Sequence, residues 1–175
     1  MMSLSGKFSR GSVVLLLGVI GLTAFVIGTF YPPSFLQKVL YLVGALLLTS
    51  SAALDKNIFF TVLEVVVVVG TFIAFFPLSA LIKAGVPAAL TLLAILYLWH
   101  MEEIKNLLGI LGCIGLLLLA AGFATSESIV YFFGSLVLST YSIIVFLKNK
   151  DKLAMIFVIL NVFFALGSLG NIFGY

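Results

Sequence analysis

The chain has 175 residues, 63% hydrophobic and 9% charged, with a formal net charge of +3 and a mean hydropathy of +1.36. A soluble domain carries about 25% charged residues, so a soluble fold is excluded. The few basic residues form no patch interleaved with aromatics, which excludes a nucleic-acid surface, and the single cysteine, Cys113, has no partner for an intrachain disulfide.

A helix needs roughly 20 apolar residues to cross the hydrocarbon core. The first apolar segment, 12–31, follows Lys7 and Arg10 as the core of a signal peptide would. It exceeds the ~7–15 residues of such a core and no Ala-x-Ala site follows, so we read it as a retained span. After Pro32-Pro33-Ser34 comes a second span at 34–54, and after Asp55-Lys56-Asn57 a third at 57–76, closed by Pro77. The fourth, 78–99, carries Lys83, placed to snorkel to water, and Pro87, expected to kink it. Trp99 and His100 mark an interface. The fifth, sixth and seventh spans follow at 105–124, 128–147 and 153–173, separated by Thr125-Ser-Glu-Ser128 and Lys148-Asn-Lys-Asp-Lys152. No loop is long enough to hold a separate domain, so function must lie within the bundle or at its faces.

The chain also matches itself. Leu16-Leu-Gly-Val-Ile-Gly21 returns as Leu107-Leu-Gly-Ile-Leu-Gly112. The stretch from Tyr41 through Gly44 to Thr49 aligns with that from Tyr131 through Gly134 to Ser139, and Glu64, five valines and Gly70 align with Asn161, five apolar residues and Gly167. The expected fold is therefore all-α and membrane-integral, with three-helix repeats at 12–76 and 105–173 joined by an inverter helix at 78–99. Seven spans in a three, one, three pattern make the repeats parallel, related by a pseudo-two-fold axis along the membrane normal. With the N-terminus cytoplasmic, that side holds Lys7, Arg10, Lys56, Lys105, Lys148, Lys150 and Lys152, against Lys38 and Lys83 outside. This bias predicts N-terminus in and C-terminus out.

Glu64 is the acidic residue set well inside a span, on the order of 11 Å from its start. An ionisable group at that depth must face protein or water. It reads either as a solute ligand or proton carrier, or as a neutral carboxyl bonded to a neighbouring helix. Asn161 sits at similar depth and offers two donors and an acceptor, although Asn also serves as glue between membrane helices. Ser50 and Thr140, within the clusters Thr49-Ser50-Ser51 and Ser139-Thr140-Tyr141-Ser142, either line a solvated cavity or back-bond to their own helices. Tyr41 and Tyr131 stand nearer the outer interface, as members of a tyrosine belt or as a pair stacking on a solute. The glycines at 18, 21 and 28 and at 109, 112, 115 and 122 read as close helix packing. No HExxH, G-x-S-x-G or Walker sequence is present, so no catalytic residue, metal or cofactor is assigned and an enzyme is not expected.

Parallel three-helix repeats around an extra helix resemble the SWEET sugar transporters and the related nicotinamide riboside transporters. The resemblance implies a small-solute carrier working by alternating access, with a residue on the third helix of each unit facing the solute. Asn161 stands in that position in the second unit and Glu64 in the first. The chain lacks the proline hinges of SWEET first helices, and its charge bias gives the opposite orientation. The alternative is a non-transporting membrane subunit or assembly partner, binding a membrane protein or a second copy through apolar faces. The Glu64–Asn161 pair discriminates the two, since a carrier needs a polar site at mid-depth and a scaffold does not.

Overall fold

The computed structural model describes residues 9–31, 34–104, 106–150 and 152–173, with Lys152 and Leu153 as backbone alone. Lys7, Pro32, Pro33, Lys105 and Asp151, assigned above to flanks and loops, lie outside the described residues. Among the described residues there are seven helices: α1 (Arg10–Thr29), α2 (Phe35–Asp55), α3 (Ile58–Ile73), α4 (Ala80–His100), α5 (Leu107–Thr125), α6 (Ser128–Asn149) and α7 (Lys152–Phe173). Six are long and apolar enough to cross a membrane. This is an all-α, multi-pass membrane protein.

The breaks fall where short polar side chains can replace lost backbone partners. Ser9, Ser34, Asn57, Ser79 and Asn106 each cap a helix by accepting from the backbone N–H three residues on. Lys56, Ser126 and Lys150 take the left-handed conformation that turns the chain out of α2, α5 and α6. Arg10 reaches from the start of α1 to the end of α2, where Nε and Nη2 both donate to the Leu54 carbonyl.

The third helix is shorter than the expected 57–76. It stops at Ile73, and Phe75 and Phe76 donate to Phe72 and Ile73 in tightened turns. Pro77 has no N–H to donate and pushes Phe76 away from helical geometry. The 16 residues of α3 rise about 24 Å, short of the ~30 Å hydrocarbon core. By contrast α4 runs on through Pro87 to His100.

Packing follows chain order with two exceptions. Each of α1–α2, α2–α3, α5–α6 and α6–α7 is a neighbouring pair, and α3 meets α5 while α7 meets α1. Six helices thus close a ring. The fourth lies against α3 and α5 on its flank, with Leu81, Leu92, Leu93, Leu96 and Trp99 exposed. The glycines set the tightest approaches: a methyl on Gly21 would stand 3.0 Å from the Gly44 carbonyl oxygen, and one on Gly134 would stand 3.1 Å from that of Gly115. Small residues let backbones meet at such distances.

Candidate functional site

Helix α3 presents Phe60, Leu63, Glu64 and Val67 on one buried face, at the three- and four-residue spacing of a helical stripe. The Asn57 cap on the Phe60 N–H fixes where that helix starts. Helix α7 presents Phe157, Leu160, Asn161 and Phe164 in the same way. Leu116 and Leu119 of α5, with Leu138 and Ser142 of α6, complete the enclosure.

Between them lies a cavity of about 20 Å³, room for roughly one water-sized body. Every residue lining it is buried. Glu64 is 5% exposed, Asn161 1% and Ser142 0%. The Asn161 Nδ2 donates to the Phe157 carbonyl at 2.8 Å. A carbonyl oxygen cannot make that bond, so the contact orients the amide and leaves Oδ1 as the free end. Glu64 Oε2, Asn161 Oδ1 and Ser142 Oγ are all buried without a hydrogen-bond partner among the described residues. No lysine, arginine or histidine lines the cavity.

Aromatic side chains bound it on both sides. One turn toward the start of α3 and α7, the Phe60 and Phe157 rings stack at 4.4 Å with 8° between planes. Phe59 and Tyr141 extend this floor, their centroids 5.1 Å apart. One turn toward the far end, Phe164 joins Phe25, Tyr41, Phe123 and Tyr131 in a roof. Tyr41 and Tyr131 meet edge to face at 6.3 Å. The Tyr41 hydroxyl accepts from Gln37 Nε2 at 3.2 Å, and the same amide donates to the Tyr31 carbonyl.

The structure therefore brings Glu64 and Asn161 to one cavity. It does not bring Ser50 and Thr140 there. Both are exposed on the outer surface of the bundle, with hydroxyls donating to the carbonyls of Leu46 and Leu136 in their own helices. A helix turns 100° per residue, so the inward positions belong to Ser51 and Ser142 instead. The Ser51 hydroxyl is held by the Val14 carbonyl, leaving Ser142 for the cavity. Tyr41 and Tyr131 face the inside of the bundle: they are 5% and 7% exposed and form the roof rather than the lining. The aromatic floor was missed from sequence, although a phenylalanine four residues before both Glu64 and Asn161 marks it. Among the described residues no three His, Cys, Asp or Glu gather as metal ligands. No protein-family model, curated protein or solved structure matches the chain.

Proposed function

We propose that this chain is a small-solute membrane carrier, working by alternating access at the cavity between residues 12–76 and 105–173. The observation that carries the reading is a buried cavity lined by three unpaired polar atoms, from Glu64, Asn161 and Ser142, between two aromatic layers. A buried polar group without a partner costs about 1–3 kcal/mol, and a carboxyl at membrane depth costs more. A purely structural bundle has no reason to keep three of them around one void. A carrier caught between its two open forms does, because the solute supplies their partners.

The packing supports a parallel repeat. Exchanging α1 with α5, α2 with α6 and α3 with α7 turns every neighbouring pair of the ring into another neighbouring pair. The 97-residue step from Glu64 to Asn161 also links Phe60 to Phe157 and Phe59 to Ile156. Gly18 is approached by Ser51 and Ile156, and Gly112 by Tyr141 and Phe59. Gly21 meets Leu47 and Leu48 while Gly115 meets Val137 and Leu138; Gly28 meets Tyr41 while Gly122 meets Tyr131. These contacts correspond if α1 and α5 are offset by 94 residues, not by the 91 of the matching Leu-Leu-Gly strings. With the N-terminus cytoplasmic, the stacked Phe60–Phe157 pair is the inner gate and the Tyr41–Tyr131 layer the outer one.

The test is solute uptake into vesicles reconstituted with the pure protein. Glu64→Gln and Asn161→Ala should each abolish uptake, with the helical content and elution profile of wild type. Uptake undiminished in both variants would refute the site, and absence of uptake for every solute class would favour the assembly-partner reading.

A further inference from the structure

Resting on the carrier reading, we infer that the solute is a small organic ammonium cation, a protonated primary amine on a compact apolar body. The cavity offers more acceptors than donors: its free donors are the Ser142 O–H and one Asn161 N–H. Glu64 Oε2 and Asn161 Oδ1 accept, and the Ser142 hydroxyl does so in any rotamer. One Asn161 amide proton is committed to the Phe157 carbonyl. An alkylammonium head carries three N–H donors and no acceptor, which matches three unpaired oxygens one for one.

Other classes fit less well. A carboxylate or phosphate needs several N–H donors or a cation; no cationic side chain lines the cavity, and its one side-chain amide, that of Asn161, has a proton committed to the Phe157 carbonyl. A polyol brings lone pairs on each hydroxyl oxygen that the lining would leave unpaired, a burial cost set against each bond gained. A neutral hydrocarbon leaves all three oxygens bare. Charge balance points the same way: one carboxylate and one monovalent cation enter low dielectric as a neutral pair, whereas either alone does so at a large cost. The remaining wall is leucine side chains and the Phe60 and Phe157 rings, suited to an alkyl or aryl body, and ring faces attract cations. The cavity holds about one water-sized body, so the body is admitted by parting of an aromatic layer while the ammonium head occupies the polar end.

The experiment compares n-butylammonium, 1-butanol, butyrate and erythritol as stabilisers of the purified protein in detergent, and as competitors of vesicle uptake. Butylammonium should raise the melting temperature saturably and the other three should not. Glu64→Gln should weaken butylammonium by roughly 10- to 100-fold, the loss of one charge-assisted bond. Should Glu64→Gln fail to fold, the wild-type contrast between butylammonium and 1-butanol, equal in chain length, decides alone. Saturable stabilisation by erythritol or butyrate without butylammonium would overturn the amine assignment and leave the carrier reading standing. No saturable effect from any of the four, with no uptake of any, would overturn both.

Discussion

Replacing Gly134 by alanine adds one methyl group at the closest approach of α5 and α6. The new carbon would stand 2.6 Å from the Leu119 amide nitrogen, 3.0 Å from its Cα and 3.1 Å from the Gly115 carbonyl oxygen. All three are backbone atoms, so no rotamer change relieves the overlap. Ordinary contact begins at 3.4 Å, which requires the helices to part by 0.8 Å. A gap of that size forfeits a quarter to a half of the dispersion energy along the interface, and overpacking of this kind costs about 1–3 kcal/mol. Alanine returns about 0.5–1 kcal/mol through helix propensity, leaving a net loss of up to about 2.5 kcal/mol. Gly85 in α4 is the control, since nothing lies within 4 Å of a methyl placed there. Gly85→Ala should be neutral or stabilising by up to about 1 kcal/mol. Unfolding in mixed micelles titrated with dodecyl sulfate, followed by helicity, reads both. Equal stability of the two variants would refute the claim that backbone contact between glycines sets the α5–α6 distance.

The site makes further predictions. Ser142→Ala removes an unpaired buried hydroxyl, so stability should hold or rise by up to about 1 kcal/mol while uptake falls; Ser50→Ala and Thr140→Val, on the outer surface, should leave both unchanged. Phe60→Leu keeps an apolar side chain but breaks the ring stack, which is worth about 0.5–1.5 kcal/mol, and should speed modification of a cavity cysteine from the cytoplasmic face without doing so from the other. Thiol labelling of cysteines at positions 5 and 175 in intact cells should place the ends on opposite sides, and both ends on one side would break the parallel arrangement.

The helices were legible because their ends are chemically marked. Ser34, Asn57, Ser79 and Asn106 each stand where a cap is needed, and the apolar runs between are of spanning length. The shortness of α3 was legible only in part: Pro77 announces an end, but not that Phe75 and Phe76 would already have left the helix. Glu64 and Asn161 stood out because polar groups at that depth have few alternatives. Ser50 and Thr140 were misassigned because Ser51 lies a turn of about 100° from Ser50 and Ser142 a turn of about 200° from Thr140, and the sequence does not say which hydroxyl of each cluster faces inward. The 94-residue offset proposed for the first helices was hidden for a related reason. Glycines at 109, 112 and 115 recur every three residues, so the same string fits one turn early, and only the neighbours of each glycine distinguish the two. The aromatic floor depends on rings from α3 and α7 meeting across the bundle, a relation between helices 97 residues apart.

Alternating access is tested most directly by the reach of an impermeant thiol reagent to the cavity. Leu63 lines it beside Glu64, and Leu63→Cys with Cys113→Ala gives a single target. In oriented vesicles, the cysteine should react with reagent added to either face. Once cysteines placed at 60 and 157 are joined by a bifunctional linker, it should react from the outer face alone. A cysteine at 63 that reacts from neither face, or from the same single face before and after the linkage, would contradict a carrier that opens this cavity to each side in turn.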